Sequence, residues 1–341
     1  MNNARNRTTT RRALACAGAL TLALAGGTAL AQDLESELQE KRSKLETAED
    51  QARLLTTLLD ERLTASERSG TGAPSRLRRR VGTSSDSQEE ADVAALQPRP
   101  TLFERAAADG VAVTRVGPAA FDGAGLTLAG LRGGAYAAAE TLGERVAAAS
   151  AAARQPGRSL TYVYIGDLDS TGHRHGATSE AWRQELASVD RFAQQLAEAL
   201  PAGTTLLITS DHGMVDIPPS RRYDLAADPV LDAGVETLTG DPRGGFVHAR
   251  AGAAGDVLAA WTERLGADFW VLPTDEAVAL GLFGEVTEVV RPRLGDVVFA
   301  SRGPATLLDS RIAPAVLLEL LGGHGSVTDD ELAVPLLTYR S

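Results

Sequence analysis

The chain has 341 residues, of which 34 are Lys or Arg and 45 are Asp or Glu, so its formal net charge is −11. This length is enough for one large domain or two smaller ones, and the composition excludes collagen, mucin and polytopic membrane proteins. The acidic balance argues against nonspecific nucleic-acid binding, because phosphate backbones attract basic surfaces. Cys16 is the single cysteine, which excludes an intramolecular disulfide and a thiolate cluster. Any metal site must therefore use His, Asp and Glu.

The first 31 residues have the pattern of a secretory signal peptide. Four arginines precede an uncharged apolar run, residues 13–31, which closes on the small-x-small sequence Ala29-Leu30-Ala31. The pair Arg11-Arg12 is compatible with twin-arginine export, although adjacent arginines are also common by chance in this region of signal peptides. The alternative to a cleaved signal peptide is an uncleaved anchor, since the apolar run approaches the ~20 residues that span a bilayer. We therefore expect a protein that is secreted or held in the cell envelope.

Two segments without globular character follow the predicted signal peptide. In residues 32–64, apolar positions recur at alternating steps of four and three, which predicts a helical coil. Self-association through residues 34–59 is one expectation, and an amphipathic helix that packs on its own domain is the alternative. Residues 65–96 are rich in Ser, Gly, Arg and Glu, and they carry too little apolar surface to offset chain entropy. We predict that they form a disordered linker.

From residue 97 to residue 341, strand-type and helix-type segments alternate. This alternation predicts an α/β domain with a mostly parallel sheet between helix layers. The predicted strands cover residues 111–116, 160–165 and 204–209, and the predicted helices cover residues 136–154 and 180–200. Residues 220–310 are predicted to form a cap over the site, with a helix between short strands that include 286–290 and 297–300.

Histidine and aspartate cluster at the ends of the predicted strands. Asp169 and His173 are four residues apart, so one helical turn would place a carboxylate oxygen and an imidazole nitrogen on the same side. Asp211 and His212 are adjacent at another strand end, and His324 lies in a distant glycine-rich segment. This set of oxygen and nitrogen ligands suits zinc, manganese or iron better than calcium, and two clusters indicate two ions, as in phosphoryl transfer. Loop histidines bonded to neighbouring carboxylates are the alternative.

Two residues near the Asp169–His173 pair are not predicted to bind a metal ion themselves. Asp167 is predicted to act as a carboxylate that orients a metal ligand. A side chain such as His175 is more often solvated, and contact with substrate is the alternative for this residue.

Three motifs together resemble one known family, the type I phosphodiesterase and nucleotide pyrophosphatase branch of the alkaline phosphatase superfamily. The motifs are Asp167-Leu168-Asp169-Ser170-Thr171-Gly172-His173-Arg174-His175-Gly176, Thr209-Ser210-Asp211-His212-Gly213-Met214 and His324-Gly325-Ser326. The resemblance covers about residues 97–341 and implies an alkaline-phosphatase-like fold. It also implies that the protein hydrolyses a small phosphate ester such as a nucleotide. It also implies that Asp169, His173 and His324 hold one zinc ion and that Asp211 and His212 hold the other.

The sequence departs from the family pattern in one respect. Family members carry, in the N-terminal half of the domain, an Asp that completes the second metal site and a Thr or Ser nucleophile, and neither is identified before Gln97. The resemblance therefore implies an incomplete fold, impaired hydrolysis of phosphodiester or phosphoanhydride bonds, and two divalent ions or only one. The alternatives are a noncatalytic secreted metal-binding protein and a cell-envelope interaction protein dominated by the coil.

Overall fold

A computed structural model describes residues 97–341, Val93 and the backbone of Arg11–Leu14. Apart from these isolated positions, the predicted signal peptide (1–31), helical coil (32–64) and linker (65–96) lie outside the described residues and stay predictions. Among the residues that are described, no helix combines the length and the apolar character needed to cross a membrane.

Helices and strands alternate along much of the described chain. Its helices are α1 (Leu102–Ala108), α2 (Gly125–Gly130), α3 (Leu142–Ala153), α4 (Asp167–His175), α5 (Glu180–Ala199), α6 (Pro229–Asp232), α7 (Ala254–Leu265), α8 (Thr274–Ala279), α9 (Ala315–Glu319) and α10 (Asp329–Leu332). Its strands are β1 (Arg11–Leu14), β2 (Ala112–Gly117), β3 (Ala135–Ala138), β4 (Ser159–Val163), β5 (Thr205–Thr209), β6 (Val215–Asp216), β7 (Arg222–Asp224), β8 (Val235–Asp241), β9 (Gly244–Ala249), β10 (Phe269–Pro273), β11 (Val297–Ser301), β12 (Thr306–Leu308), β13 (Gly322–Gly323) and β14 (Ala333–Arg340).

The chain divides into two compact units. The described part of the first, the parallel-sheet unit, comprises Val93, residues 97–167, Leu186–Leu207 and Thr338–Ser341. The described part of the second, the site unit, comprises residues 11–14, Leu168–Glu185 and Ile208–Leu337.

The parallel-sheet unit contains a three-stranded parallel sheet in the order β3-β2-β4. Helix α3 begins with a capping box, in which the Thr141 hydroxyl accepts the backbone N–H of Glu144 and the Glu144 carboxylate accepts the backbone N–H of Thr141. Its buried Ala149 packs with Phe192 and Leu196, which are one turn apart on α5. The expected mixed α/β class with a parallel sheet and helices is confirmed.

The site unit is built on a four-stranded antiparallel sheet in the order β10-β11-β9-β8. Helix α7 packs against it through Trp261, which is fully buried and donates its indole N–H to the carbonyl of Leu231 at 3.0 Å. Strands β8 and β9 form a hairpin in which Asp241 pairs with Gly244, so Pro242 and Arg243 make a two-residue turn.

Short strand pairs complete the site unit. Strand β12 runs parallel to β7, and β13 runs antiparallel to β6, with Gly322 opposite Asp216. Strand β14 also pairs antiparallel with β1, with Arg11 opposite Leu336.

Two of the secondary-structure predictions were wrong. Residues 136–138, at the start of the predicted helix 136–154, belong to strand β3, because pairing with β2 outweighs the helix propensity of the alanines. Residues 286–290, a predicted strand, form turns without strand pairing in the described structure, and Val289 is 70% exposed. A strand is stabilised mainly when its apolar side chains pack on a core, and an apolar segment that faces solvent lacks that stabilisation.

Candidate metal centre

Helix α4 places the first two candidate ligands. Asp169 and His173 lie one turn apart on the same face, and the Nε2 atom of His173 is 3.3 Å from Oδ1 of Asp169. The Nδ1 atom of His173 is 2.8 Å from the carbonyl oxygen of Gly322. Because a carbonyl can only accept, Nδ1 carries the proton, and the neutral ring therefore presents the lone pair of Nε2 to Asp169.

The β6–β13 pair brings the other two histidines together. His212 lies in the loop before β6, and His324 follows directly after β13. Their imidazole rings are stacked, with centroids 3.5 Å apart and an interplanar angle of 15°. The Nδ1 atom of His212 is 2.9 Å from the carbonyl oxygen of Gly213, so this ring also directs an Nε2 lone pair toward the site.

Glycines allow the elements that carry these ligands to approach closely. A Cβ atom on Gly322 would lie 2.5 Å from the carbonyl oxygen of Gly172, and one on Gly172 would lie 2.5 Å from Sδ of Met214. Leu321 also donates its backbone N–H to the carbonyl of His173 at 2.7 Å. Helix α4 and β13 are therefore packed backbone to backbone beside the imidazoles.

The candidate ligands converge on one oxygen atom. Oδ1 of Asp169 lies 3.3 Å from Nε2 of His173, 3.8 Å from Nε2 of His324 and 4.0 Å from Nε2 of His212. Ligand atoms that share a tetrahedral zinc ion are ~3.3 Å apart, given metal–ligand distances of ~2.0–2.1 Å. One ligand atom each from Asp169, His212 and His324 also lies within 4.8 Å of the others.

The same oxygen is buried and has no hydrogen-bond partner within the described part of the chain. A buried carboxylate oxygen that faces imidazole lone pairs is costly unless a proton or a cation lies between them. These residues therefore fit a divalent metal ion, because the ion would pair with the carboxylate and accept the nitrogen lone pairs at the same time.

The electrostatics agree with this geometry. Burial acts to raise the pKa of Asp169, but His173 and the other two imidazoles outweigh it, so that the pKa lies below its ordinary value. The Asp169 carboxylate in turn raises the pKa of His173. Burial lowers the pKa of His324, and the neighbouring His212 ring acts in the same direction. The cluster thus holds a negative carboxylate among rings that differ in basicity.

The other predicted site residues differ in their surroundings from the buried oxygen of Asp169. The side chain of Asp211 is 84% exposed, and its Oδ1 atom is 3.7 Å from Nε2 of His212. His175 is exposed at the end of α4. Asp167 lies in the parallel-sheet unit, where its Oδ2 atom is 3.4 Å from Nη1 of Arg145. The structure thus brings together Asp169 and three histidines.

Sequence reasoning missed three charged residues of the site unit. Asp241 lines a cavity of about 340 Å³ together with His173 and His324, and burial raises the pKa of Asp241. Arg243, which is 1% exposed, donates from Nε and Nη2 to the two carboxylate oxygens of Glu331 at 2.6 and 2.8 Å. In the sequence, the Asp-Pro-Arg-Gly segment indicates a turn. Its position beside the histidines becomes visible only in the folded chain.

Replacing Gly213 with alanine is expected to destabilise the site. Its Cβ atom would lie 1.9 Å from the carbonyl oxygen of Asp330, so the loop that carries His212 must shift. We expect a loss of ~1–3 kcal/mol in denaturant unfolding and a weaker affinity for Zn²⁺ in titrations. Gly255→Ala in α7 is the control, because its Cβ meets nothing within 4 Å and alanine favours a helix by ~1 kcal/mol. Equal stability and zinc affinity in the two variants would contradict the expectation.

Comparison with known proteins identifies related chains. The sequence profile of one family, type I phosphodiesterase / nucleotide pyrophosphatase, matches residues 80–326, more than half of the chain. Human ectonucleotide pyrophosphatase / phosphodiesterase 5 has a similar fold, with a TM-score of 0.55 at 19% identity over 73% of this chain and 65% of that one. An inactive form of the murine protein, in complex with AMP, gives a TM-score of 0.50 at 18% identity over 69% of this chain and 61% of that one.

Curated relatives match over a shorter stretch. Human ectonucleotide pyrophosphatase/phosphodiesterase family member 7 is 40% identical over 63 residues, which are 17% of this chain and 14% of the relative. Ectonucleotide pyrophosphatase/phosphodiesterase 1 of Saccharomyces cerevisiae is 40% identical over 69 residues, which are 17% of this chain and 9% of the relative. The matches thus span less than two thirds of the length of each of these relatives. The profile match shows that the chain belongs to the type I phosphodiesterase/nucleotide pyrophosphatase family.

Proposed function

We propose that this chain is a metal-dependent hydrolase of phosphodiester or phosphoanhydride bonds. The observation that carries the proposal is the buried Oδ1 atom of Asp169, which has no hydrogen-bond partner among the described residues and faces Nε2 of three histidines. Family membership supplies the reaction class. Zinc is the metal we propose, because the donor set contains one carboxylate and imidazoles.

The chain's own residues prepare this site for a cation. Carbonyl oxygens of Gly322 and Gly213 fix the tautomers of His173 and His212, so that each Nε2 atom is free to bind. The carboxylate of Asp169 supplies the negative charge. When bound, a divalent ion supplies Lewis-acid stabilisation of charge on a phosphoryl oxygen.

We further propose nucleotides or similar small phosphate esters as substrates. The family profile is that of nucleotide pyrophosphatases, and a solved structure with a similar fold contains AMP. We expect turnover to be low, because no Thr or Ser nucleophile and no second-site carboxylate were identified in the sequence. Asp211 and His212 remain the proposed ligands of a second ion.

The test is hydrolysis of bis(para-nitrophenyl) phosphate by the full chain with added Zn²⁺, measured together with bound metal. His173→Ala is expected to remove both the turnover and a bound ion. His248→Ala is the matched control, because this histidine lies on β9 and its Nε2 atom is 3.0 Å from the hydroxyl of Thr239. Bound metal without turnover would favour the noncatalytic alternative, and turnover that survives His173→Ala would refute the assignment of roles.

Export of the chain and its self-association through residues 34–59 belong to the same proposal. Export is supported by the uncharged apolar run at residues 13–31, and self-association by the spacing of apolar positions in the coil.

A further inference from the structure

The turn between β8 and β9 lies directly against the loop that carries His324. Gly325 has a φ of +117°, and a Cβ atom there would lie 2.6 Å from both Cγ and Oδ1 of Asp241. A Cβ atom on Gly244, at the other end of the turn, would lie 2.4 Å from the carbonyl oxygen of Gly325. The residue after His324 therefore has no room for a side chain, because the Asp241 carboxylate occupies that space.

The turn is held rigidly in this position. The buried Arg243 guanidinium pairs with Glu331 and donates to the carbonyl oxygens of Gly303 and Ala305 at 2.9 and 2.7 Å. Glu331 also accepts the backbone N–H of Ser326 at 3.0 Å. The ion pair thus ties the turn to the segment that follows His324.

The carboxylate of Asp241 has a fixed direction. Its Oδ1 atom accepts the backbone N–H of Arg243 at 3.1 Å, and the side chain lines the same cavity as His173 and His324. The negative charge acts electrostatically on both imidazoles.

His324 differs from the other two histidines in its support. Carbonyl oxygens accept from Nδ1 of His173 and of His212. For Nδ1 of His324, the described part of the chain provides no such carbonyl partner, and Asp241 is the carboxylate packed against its loop. Imidazoles that bind metals commonly rely on a carboxylate or carbonyl behind the ring, which fixes the ring and raises its basicity.

We propose that Asp241 is a positioning residue of the metal centre, whose carboxylate supports His324 through its close approach to Gly325. This inference rests on the proposed function, because it assumes that the cluster binds a cation. Asp241 acts through His324 and the contact with Gly325, and it is assigned no contact with substrate.

The test is a titration of the full chain with Co²⁺, which reports affinity and, through its visible absorption, the ligand geometry. Asp241→Asn keeps an oxygen that accepts the N–H of Arg243 but removes the charge. We expect the Kd for Co²⁺ to rise ~10–100-fold and the visible spectrum to change, while thermal unfolding of the metal-free protein stays as in the wild type. Asp224→Asn is the matched control, since Asp224 lines the same cavity and its carboxylate is bound by the backbone N–H groups of Ala226 and Ser310, at 3.0 Å each.

Each other outcome overturns the inference. An unchanged Kd and spectrum in Asp241→Asn, or an equal loss in Asp224→Asn, would show that Asp241 has no specific role. Earlier unfolding of metal-free Asp241→Asn would assign the residue a structural role only. If the wild-type chain binds no Co²⁺, the metal centre of the proposed function is refuted as well. If the wild type and Asp241→Asn bind Co²⁺ with equal affinity, only this inference is refuted.

Discussion

Asp169→Asn is expected to remove the bound metal ion and, with it, hydrolysis of the aryl phosphodiester. The substitution keeps the shape of the side chain but replaces the buried carboxylate oxygen, which faces three Nε2 atoms, with a neutral amide. Loss of a residue that only supports a ligand costs ~10–100-fold in affinity, so we expect the loss of this ligand to exceed ~100-fold. Metal content after dialysis and zinc titration by calorimetry measure the effect.

The control for this substitution is Asp190→Asn. Asp190 is an exposed aspartate on α5, so its replacement removes the same charge without touching the cluster. We expect its zinc affinity and turnover to equal those of the wild type. An Asp169→Asn variant that retained wild-type zinc affinity would show that the ion binds without this carboxylate, and the centre would have to be reassigned.

The candidate ligands could be identified in the sequence because each is marked by its local pattern. Asp169 and His173 are spaced by one helical turn, and α4 realises that spacing with 3.3 Å between the two side-chain atoms. His212 and His324 stand beside glycines that allow close backbone approach, and the β6–β13 pair brings them together. The sequence signal for these residues therefore consists of residue type and of spacing between near neighbours in the chain.

The parts that escaped prediction depend on contacts distant in sequence. Residues 136–138 belong to a segment that was predicted as helix from its alanines, but they form a strand because β2 is available to pair with them. The antiparallel sheet of the site unit pairs strands whose partners the local pattern does not specify. The turn that contains Asp241 is visible in the sequence, but its contact with Gly325 exists only once the hairpin has packed against the loop after β13.

Arg243→Met is expected to destabilise the chain by ~3–5 kcal/mol, because it leaves the carboxylate of Glu331 buried without its partner. Both side chains of this pair are 1% exposed, and the guanidinium also donates hydrogen bonds to the carbonyl oxygens of Gly303 and Ala305. Arg264→Ala is the control, since its ion pair with Asp228 is on the surface, with the arginine side chain 58% exposed, and such pairs contribute ~0–1 kcal/mol. Urea unfolding of both variants measures the difference, and similar losses would show that burial of the pair contributes nothing.

The same ion pair is expected to make stability depend on pH in acid. Burial acts to raise the pKa of Glu331, but Arg243 and the hydrogen bonds from Thr328 and Ser326 outweigh it, so the folded-state pKa lies below the ordinary value of 4.5. A carboxyl group with a depressed pKa stabilises the fold above its unfolded-state pKa, and this contribution is lost as the pH falls through the folded-state value. The gap in free energy of unfolding between the wild type and Glu331→Gln should therefore be largest at neutral pH and shrink below pH 4.5, since protonated Glu331 and Gln are then alike in charge. Urea unfolding of both proteins from neutral pH downward measures this gap. A gap that stayed constant through this range would mean that Glu331 titrates alike in the folded and unfolded chains, and that its charge does not hold the turn beside His324.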